Sequence, residues 1–192
     1  MLDGELIALA DGSHVVHFER FIPRTPAEVW RALTEPALLE RWLSPGVIEP
    51  RVGGKYVIDW RGEVSVMHGV IKVFEPGRVL AYTWAEDPPT YSGVESLVRW
   101  ELSPAPGGCK VVLTHTAPPN QPRTETLGWL GGWHGFDRGI ATATSNSFVA
   151  DEGNSVTARW KNIDAQYRAK YEAAEQADFD RTNDDGRTKQ HR

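Results

Sequence analysis

Between Phe21 and Trp42 the chain reads FIPRTPAEVWRALTEPALLERW, and no other run restricts its fold as much. A strand exits into a helix whose start is written in four residues. Thr25 serves as N-cap, Pro26 suits the first helical position because its missing N–H is not needed there, and Glu28 closes a capping box with Thr25. Val29, Trp30 and Leu33 then share one face, so this helix needs an apolar surface beneath it. Glu35-Pro36 interrupts the pattern, and Leu38, Leu39 and Trp42 form a second apolar patch. The run contains no group that stands out as catalytic.

Around it lie strands. Glu5–Ala10 and His14–Ile22 are extended runs separated by Asp11-Gly12-Ser13, which reads as a hairpin. Further on, Lys55–Arg61 alternates, with Tyr56, Ile58 and Trp60 on one side. Val64–Phe74, Val79–Trp84, Val94–Leu102 and Cys109–Thr116 follow, divided by Glu75-Pro76-Gly77, the loop EDPPTYS and the breaker Ser103-Pro-Ala-Pro-Gly-Gly108. This predicts six or seven strands, antiparallel because the connections are too short for parallel crossovers.

After the prolines of residues 117–123 the period changes. Trp129, Trp133, Phe136 and Ile140 recur at helical spacing, which predicts one long helix. Gly128, Gly131 or Gly132, Gly135 and Gly139 form a second stripe on it. Each glycine costs about 1 kcal/mol against alanine inside a helix. Either close approach to the sheet or room for a ligand must offset that. Ser145–Ser155 interrupts the helix, and Ser155 can cap another, running to residue 179 with Trp160, Ile163, Tyr167, Tyr171 and Ala174 on one face. That face can bury against the chain's own sheet or serve a homodimer. The expected organisation is a single α+β domain over 1–179 and a disordered tail over 180–192.

Composition removes several functions. The net charge is −5, and no basic cluster lies outside the tail, so nucleic-acid binding is disfavoured. Cys109 is the only cysteine, which excludes an internal disulfide and fits a reducing compartment; the cytoplasm is the expected location. No stretch approaches the ~20 apolar residues of a membrane span. Eight tryptophans imply a large core or an aromatic-walled cavity.

No motif for covalent or metal chemistry is present. There is no G-x-S-x-G, and Cys109 reads as a buried thiol rather than a nucleophile. His14 and His17 fall on opposite strand faces, and His134 has no second ligand one helical turn away, so no metal site is assigned. Gly53-Gly54 precedes a strand rather than a helix, which excludes a phosphate-binding loop. Glu63, Glu95 and Glu101 are the candidate general bases, with solvated strand-face charges as the alternative reading. Strand parity groups Tyr82 and Trp84 with Leu80, Trp100 with Val98 and Ser96, His115 with Leu113 and Val111, and His68 with Val66 and Val70. Parity alone leaves open which group faces inward, since one bulge inverts it.

Several segments in order resemble the START-like (SRPBCC) superfamily, and within it the group named after the C-terminal domain of the activator of the heat-shock protein 90 ATPase. They are FERFIPRTPAEVWRALTEPALLERWLSP, RVGGKYVIDW, HGVIKVFEPGRVLAYTW, VRWELSPAPGGCKVVLTHT and GWHGFDRGI, together spanning about 13–143. The resemblance implies a helix-grip fold: a curved antiparallel sheet around a long C-terminal helix, with two short helices after the first long strand closing one end. The N-terminal hairpin strand and the helix over 155–179 depart from it. It also implies a cavity between sheet and helix that holds a small hydrophobic molecule such as a lipid or polyketide. A cyclase or dehydratase on the same fold, or a co-chaperone of the heat-shock protein 90 ATPase, are the alternatives. Trp60, His68, Tyr82, Trp84, Trp100, His115, Trp129 and Trp133 are the candidates for cavity wall or polar handle, with no catalytic residue, metal or cofactor assigned.

Overall fold

An Asp-Gly turn opens the sheet. β1 (Glu5–Ala8) and β2 (His14–Ile22) pair antiparallel, and the turn between them places Gly12 at φ 85°, a conformation glycine adopts without a Cβ clash. The computed structural model describes residues 2–60, 66–87, 95–145 and 162–176. The expected break after Ser145, the Ser155 cap, Trp160, Glu63 and the 180–192 tail fall outside those residues.

β2 exits into α1 (Pro26–Thr34), where the predicted capping box is complete: Glu28 N–H donates to Thr25 Oγ1, and Thr25 N–H donates to Glu28 Oε2. α2 (Pro36–Trp42) follows directly. Then come β3 (Gly46–Ile48), β4 (Lys55–Asp59), β5 (Val66–Glu75), β6 (Val79–Asp87), β7 (Ser96–Ala105) and β8 (Gly108–Ala117). These give one eight-stranded sheet in the order β1-β2-β8-β7-β6-β5-β4-β3, with every pairing antiparallel. The sequence reading falls one short of this count at its upper limit. The strand it lacks is β3, whose three residues between Pro45 and Pro50 are too few to show alternation.

The sheet curves, and its concave side is apolar. Val16, Phe18, Tyr56, Ile58, Met67 and Ile71 are completely buried there, together with Leu80, Tyr82, Val98, Trp100, Val111 and Leu113. A register shift between Ile71 and Val73 in β5 carries Phe74 round to meet Trp30 of α1, with ring centroids 5.2 Å apart.

Against this concave side lies not one long helix but two: α3 (Arg123–Trp133) and α4 (Phe136–Ala143), separated at His134-Gly135. Gly135 relaxes to φ −105°, ψ 9°, outside helical geometry, and this is where the glycine content defeats the 3.6-residue pattern. The predicted face nevertheless survives the break, with Trp133, Phe136 and Ile140 buried. The glycine stripe serves close approach, but to other helices rather than to the sheet. A Cβ on Gly131 would sit 3.0 Å from Asp164 Cα, and one on Gly139 would sit 3.1 Å from Trp42 Cβ of α2.

Asp164 belongs to α5, the helix over 162–176. α5 runs along the outer edge of the N-terminal segment and answers its unpaired backbone groups. Tyr167 Oη accepts from Gly4 N–H at 3.0 Å, and Tyr171 Oη accepts from Leu6 N–H. Lys170 Nζ donates to the carbonyls of Leu2 and Gly4. Arg123 of α3 pairs with Glu175, and Arg168 donates to the Thr124 carbonyl. Ile163, Tyr167 and Tyr171 of the predicted apolar face thus pack against the chain's own core, while Ala174 is exposed.

Candidate functional site

The eight residues singled out in the sequence separate cleanly. His68 lies exposed on β5, on the convex side with Val70, while its neighbours Met67 and Gly69 are buried. Its parity group is the outward one, so His68 takes no part in the site. The other seven all turn toward the helices and form a continuous aromatic body.

That body has a deep end and a rim. Deep in the sheet, Tyr56 and Tyr82 stack at 3.8 Å with 10° between planes. Tyr56 Oη donates to the Leu33 carbonyl at 3.0 Å, and Trp100 Nε1 donates to Tyr82 Oη at 3.3 Å. Burial pushes both phenols above the ordinary tyrosine range, so they act as neutral hydrogen-bonding groups. Trp100 meets Trp133 and Phe136 edge-to-face, with centroids 5.6 and 5.1 Å away. This end is filled.

The rim lies where β6 ends, β7 begins and β8 ends. Trp60, Trp84 and Trp129 are each half-buried there. Trp84 is the hub, 6.1 Å from Trp60, 5.4 Å from Trp133 and 5.5 Å from His115, centroid to centroid. His115 is the polar element. Its ring stacks on Trp129 at 3.7 Å with 8° between planes, and both of its nitrogens are engaged. Trp133 Nε1 is 3.1 Å from Nδ1, and Ser96 Oγ is 2.7 Å from Nε2.

This arrangement settles a chemical question. A serine within 2.7 Å of a histidine has the look of a nucleophile and its base. Indole N–H, however, can only donate. Nδ1 must therefore carry the lone pair, and neutral His115 carries its proton on Nε2, facing Ser96. A base needs its lone pair there. The hydrogen bond runs from His115 to Ser96, and from Ser96 Oγ to the Trp84 carbonyl at 3.2 Å. The pair is a buried structural relay. Ser96 was legible as a hydroxyl in an otherwise apolar parity group, but only the fold shows its partner.

Burial holds the His115 pKa down to about 3, against about 6.5 for a free imidazole. The native state therefore resists a proton that the unfolded chain accepts. His115 contributes stability that is fully present above pH ~6.5 and is lost as pH falls toward its folded value, at about 1.4 kcal/mol per pH unit. Urea unfolding between pH 7 and pH 5, above most carboxylate titration, should show this slope and show it reduced by about one proton in His115→Gln. Equal slopes in the two chains would refute a buried neutral imidazole.

Among the described residues, the other candidates lie away from this rim. Glu95 is exposed, and Glu101 points outward to Arg99 at 2.6 Å. Cys109 is buried with its thiol pushed up by burial. Among the described residues no group of three His, Cys, Asp or Glu side chains could hold a metal ion, and no helix is long and apolar enough to cross a membrane. An open groove of about 660 Å³ lies at the opposite end of the strands, lined by Arg24, Thr25, Glu28, Gly108 and Thr144 among others. Its polar groups serve the fold: Thr25 and Glu28 cap each other, and Arg24 donates to Thr144 Oγ1 and the Ala141 carbonyl.

Solved structures share this architecture. Protein MLL2253 from Mesorhizobium loti is 27% identical, with a TM-score of 0.62 over 70% of this chain and 99% of its own. A conserved protein of unknown function from Enterococcus faecalis, EF2215, is 18% identical, with a TM-score of 0.67 over 90% of this chain and 92% of its own. DynU16, a protein in the dynemicin biosynthetic locus, is 22% identical, with a TM-score of 0.58 over 66% of this chain and 45% of its own. No curated protein matches the chain. The sequence profile of one family, described as Activator of Hsp90 ATPase homolog 1-like protein, matches residues 23–143. Those residues run from the entry to α1 through the end of α4 and hold the whole aromatic body, and the chain belongs to that family.

Proposed function

We propose that the protein binds a small hydrophobic molecule between the sheet and α3, against the rim formed by Trp60, Trp84 and Trp129. The observation that carries this reading is the contrast between the two ends of one aromatic body: rings at the deep end are buried against each other, whereas three indoles at the rim are only half-buried. Large apolar rings left partly in water gain from a ligand that covers them. His115, neutral and fully engaged, backs the rim without presenting a charge that an apolar ligand would have to desolvate. The biosynthetic setting of DynU16 agrees with a small-molecule role for the fold.

A thermal-shift screen of the full chain against palmitate, cholesterol and polycyclic aromatic compounds tests this. A ligand present at 100 times its Kd stabilises by about 2.7 kcal/mol, which for a domain of this size raises Tm by roughly 5–10 °C. At least one class should do so, and Trp84→Ala should diminish the shift. A flat response across the whole panel would rule the reading out.

A further inference from the structure

The indole N–H groups divide the same way as the rings. Trp100 and Trp133, buried at the deep end, donate to Tyr82 Oη at 3.3 Å and to His115 Nδ1 at 3.1 Å, and the half-buried Trp42 packed on Trp100 donates to the Ala32 carbonyl at 3.0 Å. At the rim, the N–H groups of Trp60, Trp84 and Trp129 have no partner among the described residues, and all three side chains are only partly buried. The rim thus offers donors, while the imidazole behind it has no free acceptor, since both of its nitrogens are engaged. Trp129 has one ring face covered by His115 in a parallel stack yet is only partly buried, so part of the ring is within reach of a ligand.

We propose, resting on the binding reading above, that the ligand is a flat aromatic molecule bearing a carbonyl-type acceptor, rather than an alkyl chain or a plain hydrocarbon. The physical reason is asymmetric. Any ligand that covers the rim displaces water from N–H donors, and a donor desolvated without a new acceptor is penalised by about 1–3 kcal/mol. An acyl chain or an unsubstituted hydrocarbon returns nothing to these donors. A planar ring system carrying a carbonyl matches the stacking surface and restores a hydrogen bond.

Fluorenone, fluorene and palmitate separate the alternatives, because the first two share one flat tricyclic skeleton and differ by a carbonyl. Equilibrium dialysis of the full chain should show fluorenone held at least tenfold more tightly than either of the others. Trp129→Phe, which keeps a ring but removes the N–H, should narrow the fluorenone-to-fluorene ratio at least threefold, fluorenone losing its hydrogen bond and fluorene its desolvation penalty; Trp129→Leu should weaken both aromatic probes. Equal affinity for fluorenone and fluorene, or an unchanged ratio in Trp129→Phe, would overturn the role of the donors. Tightest binding by palmitate would overturn the ligand class and leave hydrophobic binding standing. If none of the three binds and the wider thermal screen is also flat, the binding reading itself falls, and this inference with it.

Discussion

Trp100→Ala should lose about 3–5 kcal/mol of unfolding free energy, the range for truncating a buried large aromatic. Trp100 is completely buried. It meets Trp42, Trp133 and Phe136 edge-to-face at centroid separations of 6.1, 5.6 and 5.1 Å, and such pairs contribute about 0.5–1.5 kcal/mol each beyond area burial. From the sheet it thereby touches α2, α3 and α4. Its removal leaves Tyr82 Oη without the indole donor. Since domains of this kind hold only about 5–15 kcal/mol in total, much of the population should be unfolded or loosened near 37 °C. Urea denaturation followed by circular dichroism measures this; a loss below about 1.5 kcal/mol would show that the aromatic body is not the organising centre described above.

Removing α5 should do something different: the sheet should persist, but the chain should self-associate. Without Tyr167, Tyr171 and Lys170, the N–H groups of Gly4 and Leu6 and the carbonyls of Leu2 and Gly4 lose their partners. An unpaired strand edge is a template for another strand, and exposed Ile7 and Leu9 lie alongside it. A chain ending before residue 162 should therefore elute as dimers or larger species at concentrations where the full chain is monomeric, assayed by size exclusion with light scattering. Tyr167→Phe isolates the hydroxyl. It strips the partner from Gly4 N–H and from His134 Nδ1, 2.9 Å from Tyr167 Oη, and should lose about 1–3 kcal/mol. A truncated chain that stays monomeric, with the full chain's Tm, would remove the edge-guarding role from α5.

Much of this was legible in advance for identifiable reasons. The start of α1 is local chemistry: a threonine, a proline and a glutamate at fixed offsets suffice, and the capping box is present as written. Strand alternation carried the inward sets of β4, β6, β7 and β8 into the structure intact. What failed were features set by tertiary partners. His68 sits in a run that alternates as well as any, yet which half of that run faces the helices is decided by pairing with β4 and β6. The break at His134-Gly135 hides inside a helical period that continues on both sides of it. The glycines of α3 and α4 signalled close approach, but nothing local reveals that α5 and α2, rather than the strands, are what comes close. Ser96 and His115 lie 19 residues apart in the chain, and their link exists only once β7 and β8 are in register.

The order of strands sets a timetable for synthesis. From β3 to β8 each strand pairs with the next one made, so those pairings can form as the chain emerges. β2 is the exception. Its partner on the inner side is β8, with Ile22 opposite Cys109 and His14 opposite Ala117. β2 must therefore wait for β8, made after all the strands between them, carrying Val16, Phe18 and Ile22 uncovered on that side through the interval. Pairings between distant segments are slow to form and expose sticky surface meanwhile, so in this nascent chain β2 is the segment most exposed to premature association until β8 emerges.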